Sequence, residues 1–281
     1  MATSNSVKYR PAPALHLPNR RWPDRVLQQA PTWCSIDLRD GNQALATPMN
    51  PERKQRLFEH LLRLGFREIE AGFPAASADD YAFLRHLVAQ AHAEVSIQVL
   101  TSARPEHIER TFAALQGMPR AIVHFYLSTS PLQRRLVFGI DTPALIERAV
   151  RAAEQIRTLS EKQGDTCWRW QFSPESFSAT EPEVALAICE AVAEVWEPTA
   201  ENKIILNLPA TVEVASPNRY ADQIEWFADH FSRRDAVILS IHPHNDRGCA
   251  VAAAELALLA GAERVEGALF GNGERTGNVD I

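Results

Sequence analysis

Eight short apolar runs, separated by amphipathic stretches, predict an α/β chain of the (β/α)8 TIM-barrel class. The runs alternate with helical patterns and rarely adjoin one another, which implies crossover connections and an all-parallel sheet. They number eight, the count at which such a sheet closes on itself. With 281 residues, of which 46% are hydrophobic and 23% charged, the chain can bury one large core of the size these barrels use. A doubly wound open sheet is the architecture that this pattern leaves as the alternative.

Residues 1–30 include "KYRPAPALHLPNRRWPDR", rich in Pro and Arg and without helical or strand period. They read as an extended N-terminal arm lying on a surface, a partner's among the candidates. The barrel domain is placed at 31–281, with strands expected in "WCSIDL" (33–38), "EIEAGF" (68–73), "VSIQVL" (95–100), "AIVHFYL" (121–127), "CWRWQF" (167–172), "KIILNL" (203–208), "AVILSI" (236–241) and "RVEGALF" (264–270). The first helix fits 51–64: Asn50 can cap it, Pro51 suits its first turn, Leu57, Leu61 and Leu64 share a face, and Gly65 can end it. Further helices fit 79–91, 105–116, 142–162, 182–195, 218–231 and 249–260. Ile281 falls just past the eighth strand and before any eighth helix, so a barrel truncated there, from a longer protein, is expected.

The net charge of -6 and the lack of a Lys/Arg-rich block argue against nucleic acid or an anionic membrane as partner. The most apolar helical stretch, 250–262, is interrupted by Glu255 and falls short of the roughly 20 residues a bilayer span needs. Cys34, Cys167, Cys189 and Cys249 form no C-x-x-C pair, and no signal peptide precedes them. They are expected to be reduced and mostly buried, in a cytoplasmic protein.

In a parallel barrel the reactive groups sit at the C-terminal ends of the strands. Those ends carry Arg39 and Asp40 after strand one, Glu70 in strand two, His124 in strand four, Ser173 and Glu175 after strand five, Asn207 and Thr211 at strand six, His242 and His244 at strand seven, and "GNGERTGN" (271–278) after strand eight. Strand side chains alternate faces, so His242 and His244 project to one side, into the barrel mouth. Asp40 and Asn278 can reach the same point from neighbouring strands. One carboxylate, two imidazoles and an amide oxygen suit Zn²⁺, Mn²⁺ or another borderline-to-hard divalent ion.

Blander readings stand beside these. An isolated H-x-H is often structural, Asp40 can cap a turn with Gly41, and Arg39 can be a surface cation or a bidentate carboxylate holder. Ser173 and Glu175 can be loop polar residues, His124 a satisfied core histidine, and Thr211 a residue that orders the turn after Pro209. Gly271, Gly273 and Gly277 permit tight turns, though exposed N–H groups there can bind an anion. "GNGERTGN" has neither a Walker-type Lys nor a dinucleotide fingerprint.

In order and spacing, "DLRDGNQAL" (37–45), "HPHNDRG" (242–248) and "GNGERTGN" (271–278) resemble the metal-dependent Claisen-condensing barrels that include 2-isopropylmalate, homocitrate and citramalate synthases. "VHFYLSTS", "FSPESFSATE" and "NLPATVE" narrow the resemblance to the longer bacterial and actinobacterial 2-isopropylmalate synthases, from about Tyr9 to the last residue. The resemblance implies a homodimer that condenses acetyl-CoA with 3-methyl-2-oxobutanoate on the way to leucine, with Mg²⁺, Mn²⁺ or Zn²⁺ as cofactor. It implies that Asp40, His242, His244 and Asn278 hold the metal. Arg39, His124, Ser173 and Thr211 would surround the keto acid, Arg39 and Glu175 would serve catalysis, and Gly271, Gly273 and Glu274 would approach the acetyl-CoA thioester.

Members of that family continue into a linker that supplies a further histidine, and then into a leucine-sensing domain. Neither lies within these 281 residues, so a chain that builds the metal and keto-acid site yet is inactive and unresponsive to leucine is expected. Three rivals remain: a related synthase acting on 2-oxoglutarate or pyruvate, a retro-aldol lyase on the same barrel, and a non-catalytic metal-binding barrel.

Overall fold

The computed structural model describes residues 15–281. Eight parallel strands close into a barrel in sequence order: β1 (Thr32–Ser35), β2 (Glu68–Gly72), β3 (Ser96–Ser102), β4 (Arg120–Ser128), β5 (Cys167–Glu175), β6 (Ile204–Ala210), β7 (Val237–Pro243) and β8 (Arg264–Gly267). Closure is made by β1 on β8, where Thr32 pairs with Arg264 and Ser35 with Gly267. That pairing excludes the open doubly wound sheet.

Around the barrel lie α1 (Pro51–Leu64), α2 (Ala78–Gln90), α3 (Pro105–Leu115), the single turn α4 (Pro131–Gln133), α5 (Thr142–Glu161), α6 (Pro182–Trp196), α7 (Pro217–His230) and α8 (Ala250–Leu259). The capping residues act as the sequence predicts for α1. Asn50 accepts the Arg53 N–H at 3.0 Å, and Gly65 ends the helix in the left-handed conformation, φ 101°. The core is the shell between strands and helices, where Phe58, Phe83, Phe112, Phe125, Phe172 and Phe227 are fully enclosed.

Three strands end three residues away from the ends of their apolar runs; one is β8, which stops at Gly267. β1 stops at Ser35, and Asp37–Gly41 form a π-helical turn whose Ile36 and Leu38 neighbourhood stays buried, so the run "WCSIDL" reflects core packing beyond the strand. β5 runs on to Glu175, because β4 pairs with it as far as Ser128 opposite Glu175. Ser173 and Glu175 are therefore strand residues sharing one face.

Much of the barrel interior is polar, in contrast with the Val, Ile and Leu layers usual in such barrels. Glu68, Gln98, Gln171, Ser240, Arg264 and Glu266 are all buried there. Arg264 gives hydrogen bonds to Glu68 Oε2 (2.6 Å), Gln98 Oε1 (2.6 Å), Ser240 Oγ (2.8 Å) and Glu266 Oε1 (2.9 Å), so this fully buried cation has both carboxylates it needs. A second enclosed pair braces β2 from outside. Lys54 Nζ reaches Asp80 at 2.6 Å, and the other Asp80 oxygen takes the Phe73 N–H at 2.7 Å. Gly72 is obligatory beneath that carboxylate, since a Cβ would lie 2.7 Å from it.

Of the expected arm, residues 1–14 lie outside the described residues. Its later part clasps its own barrel. Arg20 holds Asp222 on α7 through two 2.7 Å bonds, the buried Trp22 donates to the same carboxylate at 2.9 Å, and the Arg21 N–H reaches Glu225. Among the cysteines, all free, Cys34 and Cys189 are buried, Cys249 is half-buried and Cys167 is exposed, so burial is less general than expected. No helix among the described residues is long and apolar enough to cross a membrane.

Candidate active site

At the C-terminal mouth of the barrel lies a cavity of about 290 Å³, lined by Arg39, Asp40, His124, Ser173, Glu175, Thr211, His242, His244 and Glu274 together with Leu100, Tyr126 and Asn207. The sequence places these residues on seven different segments, and barrel closure brings them to one opening. Asn278 stands at the edge of this group. Gly271 and Gly273 do not wall the cavity; they lie behind Asn278. A Cβ on Gly273 would sit 2.1 Å from Asn278 Nδ2, and Gly271, at φ 67°, passes the Asn278 backbone oxygen closely.

His242 is the penultimate residue of β7, and His244 lies one residue beyond the strand, bridged to Asn278. Their rings lie nearly parallel at 14°, with centroids 5.0 Å apart, as the two-residue period requires. The π-helical turn after β1 carries Arg39 and Asp40 inward. It is anchored because Asp37 accepts the Leu269 N–H at 3.1 Å, tying the ends of β1 and β8 together. One ligand atom each of Asp40, His242 and His244 falls within 4.8 Å of the others.

These donors fit a divalent cation on two observations. First, Asn278 Nδ2 is committed to Asp40 Oδ1 (3.1 Å) and to the Asn272 carbonyl (2.9 Å), which turns its Oδ1 toward His242 Nε2 at 2.8 Å. An amide oxygen facing an imidazole nitrogen needs either a ring N–H that donates to it or a cation that both atoms ligate. Second, His244 Nδ1 is buried without a hydrogen-bond partner. Burial, and then the neighbouring His242, push the His244 pKa down to about 3, which keeps the ring in its neutral, ligating form. Burial opposes charge on His242, but the Glu266 hydrogen bond and the Asp40 carboxylate outweigh it and raise its pKa. Burial likewise opposes charge on Asp40, and Arg39 followed by His242 overcomes it, so the carboxyl is held well below the usual range.

Arg39 is bound along one edge by Glu70, Nε and Nη2 each at 3.1 Å, while Nη1 meets Asp40 Oδ2 at 2.8 Å. This is the inward, carboxylate-holding alternative for Arg39. His124 Nδ1 lies 3.3 Å from the Gln98 amide nitrogen and 3.5 Å from Glu70 Oε1, and its Nε2 lies 2.7 Å from Ser173 Oγ; Asn207 donates to that hydroxyl at 2.9 Å. Glu175 accepts from the Ser128 hydroxyl. Burial raises its pKa; Arg39 opposes the shift and Glu274 adds to it. Thr211 Oγ1 accepts the Ser176 N–H at 2.8 Å, so it orders the chain after β5 while also lining the cavity.

Sequence reasoning passed over Glu266. It lies inside the apolar run "RVEGALF", yet Arg264 and Glu266 are charged residues at a two-residue spacing on one strand, as are Glu68 and Glu70 in "EIEAG". Charges recurring with the strand period mark an inward polar face.

The HMGL-like family model matches residues 30–281. The chain is 59% identical over 275 residues to a 2-isopropylmalate synthase of Parafrankia sp. (strain EAN1pec), covering 97% of this chain and 49% of that protein. It is 58% identical over 278 residues to one from Ralstonia nicotianae, covering 98% and 48%. The chain thus spans about half the length of the curated relatives it matches. In architecture it is similar to a hydroxymethylglutaryl-CoA lyase from Pseudomonas aeruginosa, with a TM-score of 0.68, 20% identity, and coverage of 89% of this chain and 82% of that one. An HMG-CoA lyase from Brucella melitensis gives 0.66, 18%, 89% and 87%. The lyases share the fold, and the match over residues 30–281 places the sequence: this chain belongs to the HMGL-like family.

Proposed function

We propose that this barrel carries the condensation of acetyl-CoA with 3-methyl-2-oxobutanoate and water to give 2-isopropylmalate and CoA, and that its cavity holds the keto acid beside a divalent cation. One observation carries the reading: Asp40, His242 and His244 converge, with Asn278 hydrogen-bonded to the first two, at a mouth that also presents Arg39 and Glu175. The identity to 2-isopropylmalate synthases supports the choice of substrate.

Asp40, His242, His244 and Asn278 would hold Mg²⁺, Mn²⁺ or Zn²⁺, which when bound supplies Lewis-acid polarisation of a 2-oxo group. Arg39, fixed by Glu70, offers a guanidinium edge to the substrate carboxylate or to negative charge developing on the keto oxygen. The paired His124 and Ser173, with Thr211, orient the keto acid. Glu175 takes a proton from the acetyl methyl group; its raised pKa brings it closer to neutrality and makes it a stronger base than an ordinary carboxylate. The resulting carbon nucleophile forms the new C–C bond at the keto carbon as the C=O π pair moves onto the keto oxygen, which is protonated to the hydroxyl; water then cleaves the thioester C–S bond and CoA leaves as the thiol. The segment from Gly271 to Glu274 would face the CoA side. We read the working protein as a cytoplasmic homodimer, for which light scattering gives a direct check.

Calorimetry of 3-methyl-2-oxobutanoate binding tests the reading without requiring turnover. Binding should depend on Mg²⁺, Mn²⁺ or Zn²⁺, exceed that of pyruvate and 2-oxoglutarate, and vanish in His242→Ala. Metal-independent binding untouched by that substitution overturns it.

A further inference from the structure

Beneath the cation-binding candidates lies a second buried group, Glu70, His124 and Glu266, whose ligand atoms also fall within 4.8 Å of one another. Its donors are already spent. Glu70 is occupied by Arg39, His124 Nδ1 by Gln98, and Glu266 by the donors around it. This points away from a second metal site and toward a device that acts on the first.

Glu266 is fully buried, and both its oxygens are engaged. Oε1 accepts from Gln171 Nε2 (2.6 Å), Gln98 Nε2 (2.8 Å) and Arg264 Nη1 (2.9 Å). Oε2 faces His242 Nδ1 at 3.1 Å and Asn207 Nδ2 at 3.3 Å. The Gln98 amide cannot turn over, because Arg264 Nη2 donates to its Oε1 at 2.6 Å while its Nε2 serves Glu266. Arg264, Gln98 and Glu266 thus form a closed triangle of hydrogen bonds. An ionised carboxylate only accepts, so whatever nitrogen meets Oε2 must carry a hydrogen.

We propose that Glu266 is the positioning residue that keeps the ring hydrogen of His242 on Nδ1, so that Nε2 presents its lone pair to the point shared with Asp40 and Asn278. Arg264 and Gln98 lock the carboxylate in the orientation that does this. The inference rests on the reading of His242 as a cation ligand, and the carboxylate behind a ligating imidazole is a general means of fixing its tautomer and direction.

Glu266→Gln separates positioning from packing, since it is isosteric. With three donors on one side, the new amide must place its oxygen there and turn its NH₂ toward His242. Nδ1 then becomes the acceptor, and the hydrogen moves to Nε2, where it blocks the ligand position. ¹⁵N NMR of the neutral His242 ring should report Nδ1–H in the wild-type chain and Nε2–H in Glu266→Gln. Calorimetric Zn²⁺ affinity should fall roughly 10- to 100-fold, and Glu266→Asp, which keeps an acceptor-only carboxylate, should recover part of it. An Nε2–H ring in the wild type, which needs no variant to fold, overturns the inference. So does unchanged Zn²⁺ affinity in Glu266→Gln. A tautomer switch in a chain that binds no cation at all upholds the positioning role and defeats the metal reading of the mouth.

Discussion

Glu70 grips Arg39 along one guanidinium edge, two parallel bonds of 3.1 Å, with both side chains withdrawn from solvent. The pair aims the remaining edge of Arg39 at Asp40 and the cavity. Glu70→Ala strands that cation with a single carboxylate neighbour and should cost about 3–5 kcal/mol in urea unfolding. Arg39→Lys replaces a planar fork by a point charge and should weaken 3-methyl-2-oxobutanoate binding by about 1.5–3 kcal/mol in calorimetry, with the fold retained.

Gly273 is the space into which the Asn278 amide fits. Gly273→Ala puts a methyl 2.1 Å from Nδ2, so the amide must swing away from Asp40 and His242. Mn²⁺ affinity should drop about tenfold or more, because a displaced partner of the ligand set is lost, while the unfolding midpoint of the metal-free chain moves little.

Burial raises the Glu175 pKa, so the folded chain holds that proton more tightly than the unfolded one. Between the ordinary glutamate value and the raised one, the folded state binds more protons, and stability contributed by this group falls as pH rises. Glu175→Gln should therefore be more stable than wild type at pH 7.5, with the advantage shrinking as pH falls from the raised Glu175 value toward the ordinary glutamate value and gone below it. The same change removes the proposed base, so deuterium wash-out from the acetyl methyl of acetyl-CoA should slow by about 10²–10⁴-fold.

Lys54 is wholly enclosed, and its charge is answered by Asp80. Lys54→Met leaves that carboxylate buried with backbone donors alone and should destabilise by about 3–5 kcal/mol. Restoring the balance with Asp80→Asn in the same chain should return part of the loss, as a double-mutant cycle in urea would reveal.

Much of this molecule is legible in its sequence because strand and helix periods alternate cleanly, and Asn50, Pro51 and Gly65 punctuate as local chemistry dictates. The two histidines are legible for the same reason, since a two-residue spacing on a strand admits only one shared face. The end of β1 is not, because Ile36 and Leu38 are buried by the barrel whether or not the chain stays extended. Nor is the role of Glu266, whose donors Gln98 and Gln171 lie 168 and 95 residues away; local pattern identifies an inward charge but not what answers it. Ser173 and Glu175 read as loop residues because their strand membership depends on β4, a partner that the run "CWRWQF" does not reveal.

The Arg20 and Trp22 clasp on Asp222 joins positions about 200 residues apart. At ribosomal speeds of 5–20 residues per second, roughly 10–40 s separate the emergence of the two halves of that latch. For that interval Trp22 has no Asp222 to bind, and the first strand has no eighth to meet. A nascent barrel of this kind is an open curved sheet with two bare edges, and it is there, before closure, that a chaperone or an aggregating neighbour would find it.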